Sequence, residues 1–370
     1  MKVLILTNHQ LGLYKFRKEL LEALIGKGYR VYVSVPEDKF THELRQIGCK
    51  VIHNKNLDRR GTNPIQELRL VRYFCRLVEK VSPDLVLTYT IKPNIYGGIA
   101  CAKMKVPYIA NITGLGTSIQ NGGVLQALTL TVYKFGLNKA KKIFFQNDGD
   151  QSYMLEHGIV NKKRVDAVPG SGVNTDQHCY EAYPKEDTPV IFTTIGRIMK
   201  DKGIEEVLGA AERIKERYPQ TVFRLIGDFD ERYEEKVFRL QEEGVVEYLR
   251  FQKDIHPFIA SSHAIIHASY HEGLSNVLLE AASTGRPVIA TDVHGCIETF
   301  EPDVTGIAFQ AKSTESLVRA IERFLALDHA EREKMGRKGR EKMIREFDRS
   351  IVVDKYMGEI ERILKRENDV

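Results

Sequence analysis

Two glutamates, Glu272 and Glu280, stand eight positions apart around Gly273-Leu274-Ser275-Asn276-Val277. An apolar run, Ala264-Ile265-Ile266, leads into the polar loop Ser269-Tyr270-His271-Glu272-Gly273, and an apolar helix opens at Ser275 or Asn276. Glu272 then lies in the loop, and Glu280 about one turn inside the helix on the side facing it. Between them fall the N–H groups of a helix N-terminus, a seat for phosphate or for sugar hydroxyls. Carboxylates repel phosphate, but they accept hydrogen bonds from neutral hydroxyls such as those of a sugar ring and a ribose. The same spacing equally suits a helix capped by Ser275 with two solvated glutamates, so the surroundings must choose. A second cluster is Ile195-Gly196-Arg197-Ile198-Met199-Lys200-Asp201-Lys202-Gly203. Gly196 permits a tight turn, Arg197 can grip two oxygens and Lys202 acts as a point charge, which together suit a diphosphate. The spacing is not that of a P-loop, which disfavours a Walker-type NTPase. A basic loop at a strand end is the competing reading. His9, His267, His271 and His294 fall at predicted strand ends. A lone histidine is more often a polar filler than a catalyst; His271, beside Glu272, is the best of them. None of these residues has metal-ligand spacing.

The elements that must position these groups alternate. Val3–Leu6, Val31–Val35, Lys50–His53, Leu85–Thr88, Tyr108–Asn111, Lys142–Gln146 and Arg164–Val168 read as strands, with helices near 14–27, 39–48, 64–81, 94–104, 122–140 and 148–157. Such alternation means a parallel sheet covered on both faces. The rhythm breaks over residues 180–189, polar and Pro-bearing, which reads as a linker. A second series follows at Val190–Ile195, Val222–Ile226, Val246–Phe251, Ala264–His267, Pro287–Ala290 and Gly306–Phe309, and the chain from Thr314 onward is helical and charged. The predicted architecture is α/β, two Rossmann-like doubly wound domains facing a cleft. The domains are 1–180 and 181–349, with 350–370 joining the first. Ligands in such sheets bind at the carboxyl ends of the strands. Most of the unusual residues fall there.

At 370 residues the chain exceeds one ordinary core. Its first apolar run is too short for a signal peptide, and no window approaches a membrane span. The five cysteines are widely spaced without a C-x-x-C, the pattern of reduced thiols in a cytosolic protein. The net charge of +5 hides an asymmetry. Residues 1–170 carry 26 Lys and Arg against 13 Asp and Glu, a balance of +13, and residues 171–370 carry 29 against 37, a balance of −8. Arg69, Arg72, Arg76 and Lys80 form one stripe of a predicted helix, Arg59-Arg60 precede it, and Lys139, Lys141 and Lys142 cluster later. A single stripe is usually a solvated face. Three clusters in one half point to an anionic membrane surface or polyanionic acceptor. No DNA- or RNA-binding motif is present, so nucleic acid is not the expected partner.

The pairing of Gly196-Arg197 and Lys202-Gly203 with His271-Glu272-Gly273 and Glu280-Ala281 resembles the retaining glycosyltransferases of the GT-B fold, family 4. Further matches are Gly285-Arg286-Pro287-Val288-Ile289-Ala290-Thr291-Asp292 and the hinge-like Pro169-Gly170-Ser171-Gly172-Val173-Asn174, so the resemblance spans essentially the whole chain. It implies that the last helix, near Ile351–Leu364, crosses back to the first domain. It implies that Arg197 and Lys202 neutralise the donor's diphosphate and that Glu272 bonds hydroxyls of the transferred sugar. Backbone amides of Gly273, Leu274, Ser275, Asn276 and Val277 would contact sugar and phosphate, and Glu280 would take the ribose. The base would lie near Gln252–Ile255. Gly12, in the loop after the first strand, would let the backbone approach the donor phosphates. Arg197 and Lys202 would supply the charge, so neither a metal nor another cofactor is expected. The implied mechanism is same-face attack, in which the departing phosphate helps deprotonate the acceptor.

In the first domain, Thr88-Tyr89-Thr90-Ile91-Lys92-Pro93-Asn94-Ile95-Tyr96-Gly97 and Asn111-Ile112-Thr113-Gly114-Leu115-Gly116 are similar to the subgroup that extends undecaprenyl-diphosphate-linked sugars for capsule, O-antigen or glycan assembly. Lys92 would meet acceptor or donor phosphate, and Thr113 and Gly114 would face the acceptor. Asn94 reads either as a contact or as a helix cap. Many family members carry a His where Thr113 stands, so a His-centred role does not transfer. The expectation is a retaining transferase moving a hexose or N-acetylhexosamine from a UDP-sugar to a lipid-diphosphate-linked saccharide. It would be cytoplasmic, peripheral on the inner face of the membrane. The competing readings are a sugar-nucleotide 2-epimerase of the same architecture and a non-catalytic nucleotide-sugar-binding subunit.

Overall fold

A computed structural model of the chain describes residues 1–8, 10–36, 40–55, 64–115 and 123–368. His9, Arg59, Arg60 and Gly116, singled out above, lie outside them. The chain divides into two compact units, Met1–Ser171 with Arg349–Val370, and Gly172–Asp348.

The first unit is built on a seven-stranded parallel sheet of order β3-β2-β1-β4-β5-β6-β7. Its strands are β1 (Lys2–Leu6), β2 (Arg30–Val35), β3 (Lys50–His53), β4 (Leu85–Tyr89), β5 (Tyr108–Ile112), β6 (Lys142–Phe145) and β7 (Val165–Ala167). Every residue of β4 and β5 is buried, as central strands of a parallel sheet covered on both faces should be. Helices α1 (Gln10–Gly26) and α2 (Thr41–Ile47) supply Leu13, Leu20, Leu24 and Leu44 to one face. Helices α3 (Pro64–Val81), α4 (Gly98–Met104), α5 (Gly123–Leu137) and α6 (Asp148–Glu156) supply Leu70, Phe74, Leu77, Tyr133 and Met154 to the other. A π-helical turn, Pro93–Gly97, leads into α4.

The C-terminal helix, Arg349–Asn368, returns to this unit as expected. Val352, Tyr356, Ile360, Ile363 and Leu364, at helical spacing, join the core formed with α1. Tyr356 donates its hydroxyl to Asn111 Oδ1, and Arg349 grips the Glu19 carboxylate at 3.0 Å.

The second unit holds a six-stranded parallel sheet of order β10-β9-β8-β11-β12-β13. The strands are β8 (Ile191–Ile195), β9 (Val222–Ile226), β10 (Glu247–Tyr248), β11 (Ala264–His267), β12 (Val288–Thr291) and β13 (Gly306–Phe309). Its helices are α7 (Ile204–Arg217), α8 (Glu234–Glu242), α9 (His256–Ala260), α10 (Asn276–Ser283), α11 (Thr314–Ala326) and α12 (His329–Lys342). β10 is shorter than the predicted 246–251. Arg250 adopts a left-handed φ of 58°, and its carbonyl turns to the Gly227 N–H, so the chain leaves the sheet edge.

The polar stretch from residue 180 lies inside this unit, and its first residues are stapled to it. Arg286, 1% exposed, donates to the carbonyls of Glu181 (2.9 Å), Ala182 (2.7 Å) and Ala260 (2.6 Å), and Tyr183 donates to His263 O. In each sheet the strand order reverses at one place, between β1 and β4 and between β8 and β11. Loops leaving the carboxyl ends there splay apart and open a crevice for ligands.

Candidate active site

The reversal in the second unit gathers the predicted donor residues. Arg197 and Lys202 follow β8, and Glu272 follows β11. Gly203 brings the two loops together. It has a left-handed φ of 68°, and a Cβ there would sit 2.1 Å from the Ala268 carbonyl oxygen. Only glycine fits both the conformation and the approach. Lys202 Nζ consequently reaches Glu272 Oε1 at 2.5 Å, with Ser269 Oγ at 3.4 Å.

Glu272 also accepts from His267 Nε2 at 2.9 Å, and Ser275 Oγ stands 3.1 Å from the same ring nitrogen. Burial by itself would raise the Glu272 pKa. The Lys202 ammonium and the His267 hydrogen bond outweigh burial and hold the carboxyl well below the usual range, so it stays ionised. A small pocket beside this network is lined by Gly196, Arg197, Lys202, Ile204, Ile226 and His267.

Arg197 is 44% exposed and paired with Asp230. Both cations expected at the diphosphate therefore already hold a carboxylate. Arg197 keeps further N–H donors for a ligand, since a guanidinium has five. Ser275 caps α10, its Oγ accepting from Leu278 N–H, as predicted. Its own amide, expected to face the donor, instead donates to Gly295 O at 2.8 Å. The loop carrying Gly295 packs so close that a Cβ there would meet Glu272 O at 2.3 Å. Leu274 is buried in the small cluster with Val173, Leu279 and Met343, so its side chain serves packing. Gly273, Asn276 and Val277 lie at the mouth of α10 in the expected place. Glu280 is not a solvated helix residue: its side chain is 12% exposed and lies 3.7 Å from His178 Nε2.

The first unit corrects several expectations. Gly12 is not in a loop, because α1 begins at Gln10, which is fully buried and donates to Thr41 Oγ1 at 2.9 Å. Lys92 is not an open phosphate ligand. It forms a largely buried pair with Glu67 at 2.8 Å. Burial and then the Glu67 charge push the neighbouring Tyr96 hydroxyl up to about 12. Asn94 does not cap a helix. It is fully buried, accepts from Thr88 Oγ1 at 2.6 Å and donates to Asn111 O at 2.8 Å, and so clamps β4 to β5. Thr113 and Gly114 do stand half-buried at the carboxyl end of β5, Gly114 with φ 120°. Thr90, which the sequence did not mark, holds a φ of 72°, a strained conformation for a β-branched residue, beside the crevice between β1 and β4.

Known proteins decide the family. The family model "Glycosyl transferases group 1" matches residues 180–342, and "Glycosyl transferase 4-like" matches residues 2–147. The chain is 25% identical, over 99% of its length and 100% of the relative's, to the N,N'-diacetylbacillosaminyl-diphospho-undecaprenol alpha-1,3-N-acetylgalactosaminyltransferase of Campylobacter jejuni. It is 23% identical, over 71% of its length and 72% of the relative's, to the UDP-Gal:alpha-D-GlcNAc-diphosphoundecaprenol alpha-1,3-galactosyltransferase of Escherichia coli. The crystal structure of Anabaena Alr3699/HepE in complex with UDP and glucose superposes with a TM-score of 0.79 at 19% identity, covering 97% of this chain and 99% of that one. The chain belongs to the GT-B glycosyltransferases of family 4.

In this glycosyltransferase the 2-epimerase reading is not favoured. Sequence reasoning missed two residues of the site, Asp230 and His178, and ranked a third, His267, below His271. His267 had a signal, a histidine closing an otherwise apolar strand five positions before Glu272. It touches Glu272, whereas His271, ranked above it, faces Asp201 at 3.9 Å. His294 pairs with Glu298 at the surface. Asp230 and His178 reach the site only through the fold, and no spacing announces them.

Proposed function

We propose that this glycosyltransferase moves a hexose or N-acetylhexosamine from a UDP-sugar to an undecaprenyl-diphosphate-linked saccharide, with retention of anomeric configuration, in cell-surface polysaccharide or glycan assembly. The observation that carries the reading is the Lys202–Glu272–His267 network at the strand-order reversal of the second unit. An ionised, oriented carboxylate there can accept from sugar hydroxyls. Lys202, bonded to it, and Arg197 on the adjoining loop can compensate charge as it develops on the leaving diphosphate. Glu280 takes the ribose. The departing phosphate accepts the acceptor's proton on the same face, so no separate base is required. The charge compensation comes from side chains, and we expect transfer without an added divalent metal. The names of the Campylobacter and Escherichia relatives support a lipid-diphosphate acceptor, and the latter name supports a UDP donor.

No helix among the described residues is long and apolar enough to cross a membrane. Ile65 and Leu68 on α3 and Leu128 and Phe135 on α5 are 52–67% exposed. Arg69, Arg72 and Arg76 lie on the first of these helices, Lys134 on the second and Lys139 just after it. That combination supports peripheral docking of this face on anionic lipid, at the inner face of the cytoplasmic membrane. The test of the donor assignment is calorimetric titration with UDP and GDP. UDP should bind in preference, and Glu280→Ala should weaken it about tenfold, the loss of a hydrogen bond to a charged group. Equal binding of GDP, or no effect of Glu280→Ala, would remove the assignment.

A further inference from the structure

His256 lies 75 positions beyond Glu181 and 77 beyond Cys179, yet the ligand atoms of all three fall within 4.8 Å of one another. Cys179 Sγ donates to Glu181 Oε1 at 3.7 Å, and His256 Nε2 lies 3.2 Å from the same oxygen. A tetrahedral ion with bonds of ~2.0 Å to nitrogen and oxygen and ~2.3 Å to sulfur separates its ligand atoms by roughly 3.3–3.6 Å. The two measured edges bracket that range. The Glu181 oxygen thus stands from both the thiol and the imidazole at about the spacing that ligands of one ion would have, and the remaining pair lies within 4.8 Å.

The supporting structure is already fixed. The Glu181 N–H donates to Thr284 O at 3.2 Å, and its carbonyl is held by the buried Arg286. The carbonyl of His178, the residue before Cys179, accepts from Ser283 Oγ and Arg340 Nη1, both at 2.7 Å. His256 opens α9, its N–H held by Asp254 Oδ1 at 3.0 Å. Little ordering remains to oppose binding.

We propose that Cys179, Glu181 and His256 bind one zinc-class ion. A thiolate, an imidazole and a carboxylate select zinc over magnesium or calcium, which take oxygen ligands. The fourth position is left to water. Binding releases the thiol proton to solvent, shifts the imidazole proton from Nε2 to Nδ1, and replaces the two hydrogen bonds to Glu181 with metal–ligand bonds, with no redox step. The site is separate from the charge compensation assigned to Arg197 and Lys202. It reaches the donor site through His178, whose ring meets that of His256 edge-on at 5.6 Å and whose Nε2 lies 3.7 Å from Glu280 Oε1. Zinc therefore couples to UDP affinity, a consequence that rests on Glu280 holding the ribose.

The test is zinc competition against a chromophoric chelator with the full-length, metal-stripped protein, alongside Co(II) absorption. Wild type should take one equivalent and show thiolate-to-cobalt charge transfer. Cys179→Ser should lose that band, and both Cys179→Ser and His256→Gln should weaken zinc by at least ~10–100-fold. Circular dichroism and UDP titration of the same samples report folding and the donor site independently. Sub-stoichiometric binding by the folded wild type overturns the proposal. So does one equivalent that both variants retain, since the ion then sits elsewhere. If zinc binds as described but UDP does not bind at all, the metal site stands and the donor reading falls.

Discussion

At the scale of single residues, the donor site depends on how its carboxylate is held. Glu272 is ionised because an ammonium and an imidazole N–H converge on one oxygen, against the penalty of burial. Arg197 is tied to Asp230 from the side, which orients its planar fork. Arg197→Ala should lower kcat/KM by ~10²–10³, the usual cost of one donor to a developing anion, and Arg197→Lys should restore only part of it. Steady-state kinetics would show this, and an unchanged kcat/KM would contradict it. His267 is a positioning residue, since it acts through Glu272. His267→Leu should leave the protein folded and KM for the donor within a few-fold while lowering kcat by about 10–100-fold, the cost of a misplaced reacting geometry. A change confined to thermal stability would reduce His267 to a packing role. These two cases mark what the sequence could tell. Arg197, Lys202, Glu272 and Glu280 were singled out because residue type, local spacing and the family resemblance suggest their chemistry. Asp230 and His178 were not, because their partners come from other elements. Lys92 was legible as a cation, but its buried acidic partner Glu67 lies 25 positions away and cancels the charge that suggested a phosphate ligand.

At the scale of elements, strand positions were read to within a residue or two wherever both faces are buried, because continuous apolar runs leave little choice of register. The errors fall where another element decides. β10 is an edge strand cut short by the turn at Arg250, and α1 opens early because Gln10 finds Thr41 on α2. His263, just before β11, has an electrostatic consequence. It is 2% exposed, and its Nδ1 accepts from the Ile191 N–H at 3.1 Å, which requires a neutral ring. Burial, then the charges of Arg332, His329 and Arg286, lowers its pKa from 6.5 to about 4. Between those values the unfolded chain binds the proton that the folded ring refuses. The folded state keeps this stability above about pH 6.5 and loses it progressively as pH falls toward 4, by about 3 kcal/mol in all. Urea unfolding of the second unit at pH 7, 5.5 and 4 should show that decline. His263→Asn, which keeps an acceptor near the Nδ1 position, should flatten it. An identical slope in the variant would place the acid sensitivity elsewhere.

At the scale of the whole molecule, two separately cored units share one chain, and the chain's end returns to its beginning. The C-terminal helix buries Val352, Tyr356, Ile360, Ile363 and Leu364 against the sheet face that α1 and α2 leave incomplete. Fully burying each such side chain is worth roughly 1.5–3 kcal/mol, so the helix rivals the whole net stability of a domain. A chain ending at Asp348 should therefore lose the cooperative unfolding of its first unit while the second still binds UDP. Calorimetry would resolve the two transitions; two intact transitions in the truncated chain would show the helix to be dispensable. The charge imbalance belongs to this scale as well. The first 170 residues are strongly basic and the rest acidic, and on the proposed reading the basic half is the one that meets the anionic acceptor surface.

The most direct test of the account is transfer itself. The purified protein should be incubated with a panel of UDP-sugars and an undecaprenyl-diphosphate-linked saccharide, beside the same saccharide lacking the lipid diphosphate, and products read by mass spectrometry and anomeric NMR coupling. The account predicts addition of one α-linked sugar to the lipid-linked acceptor alone, abolished by Glu272→Gln. Epimerisation of the UDP-sugar without transfer, transfer with inverted configuration, or equal use of the lipid-free saccharide would contradict it.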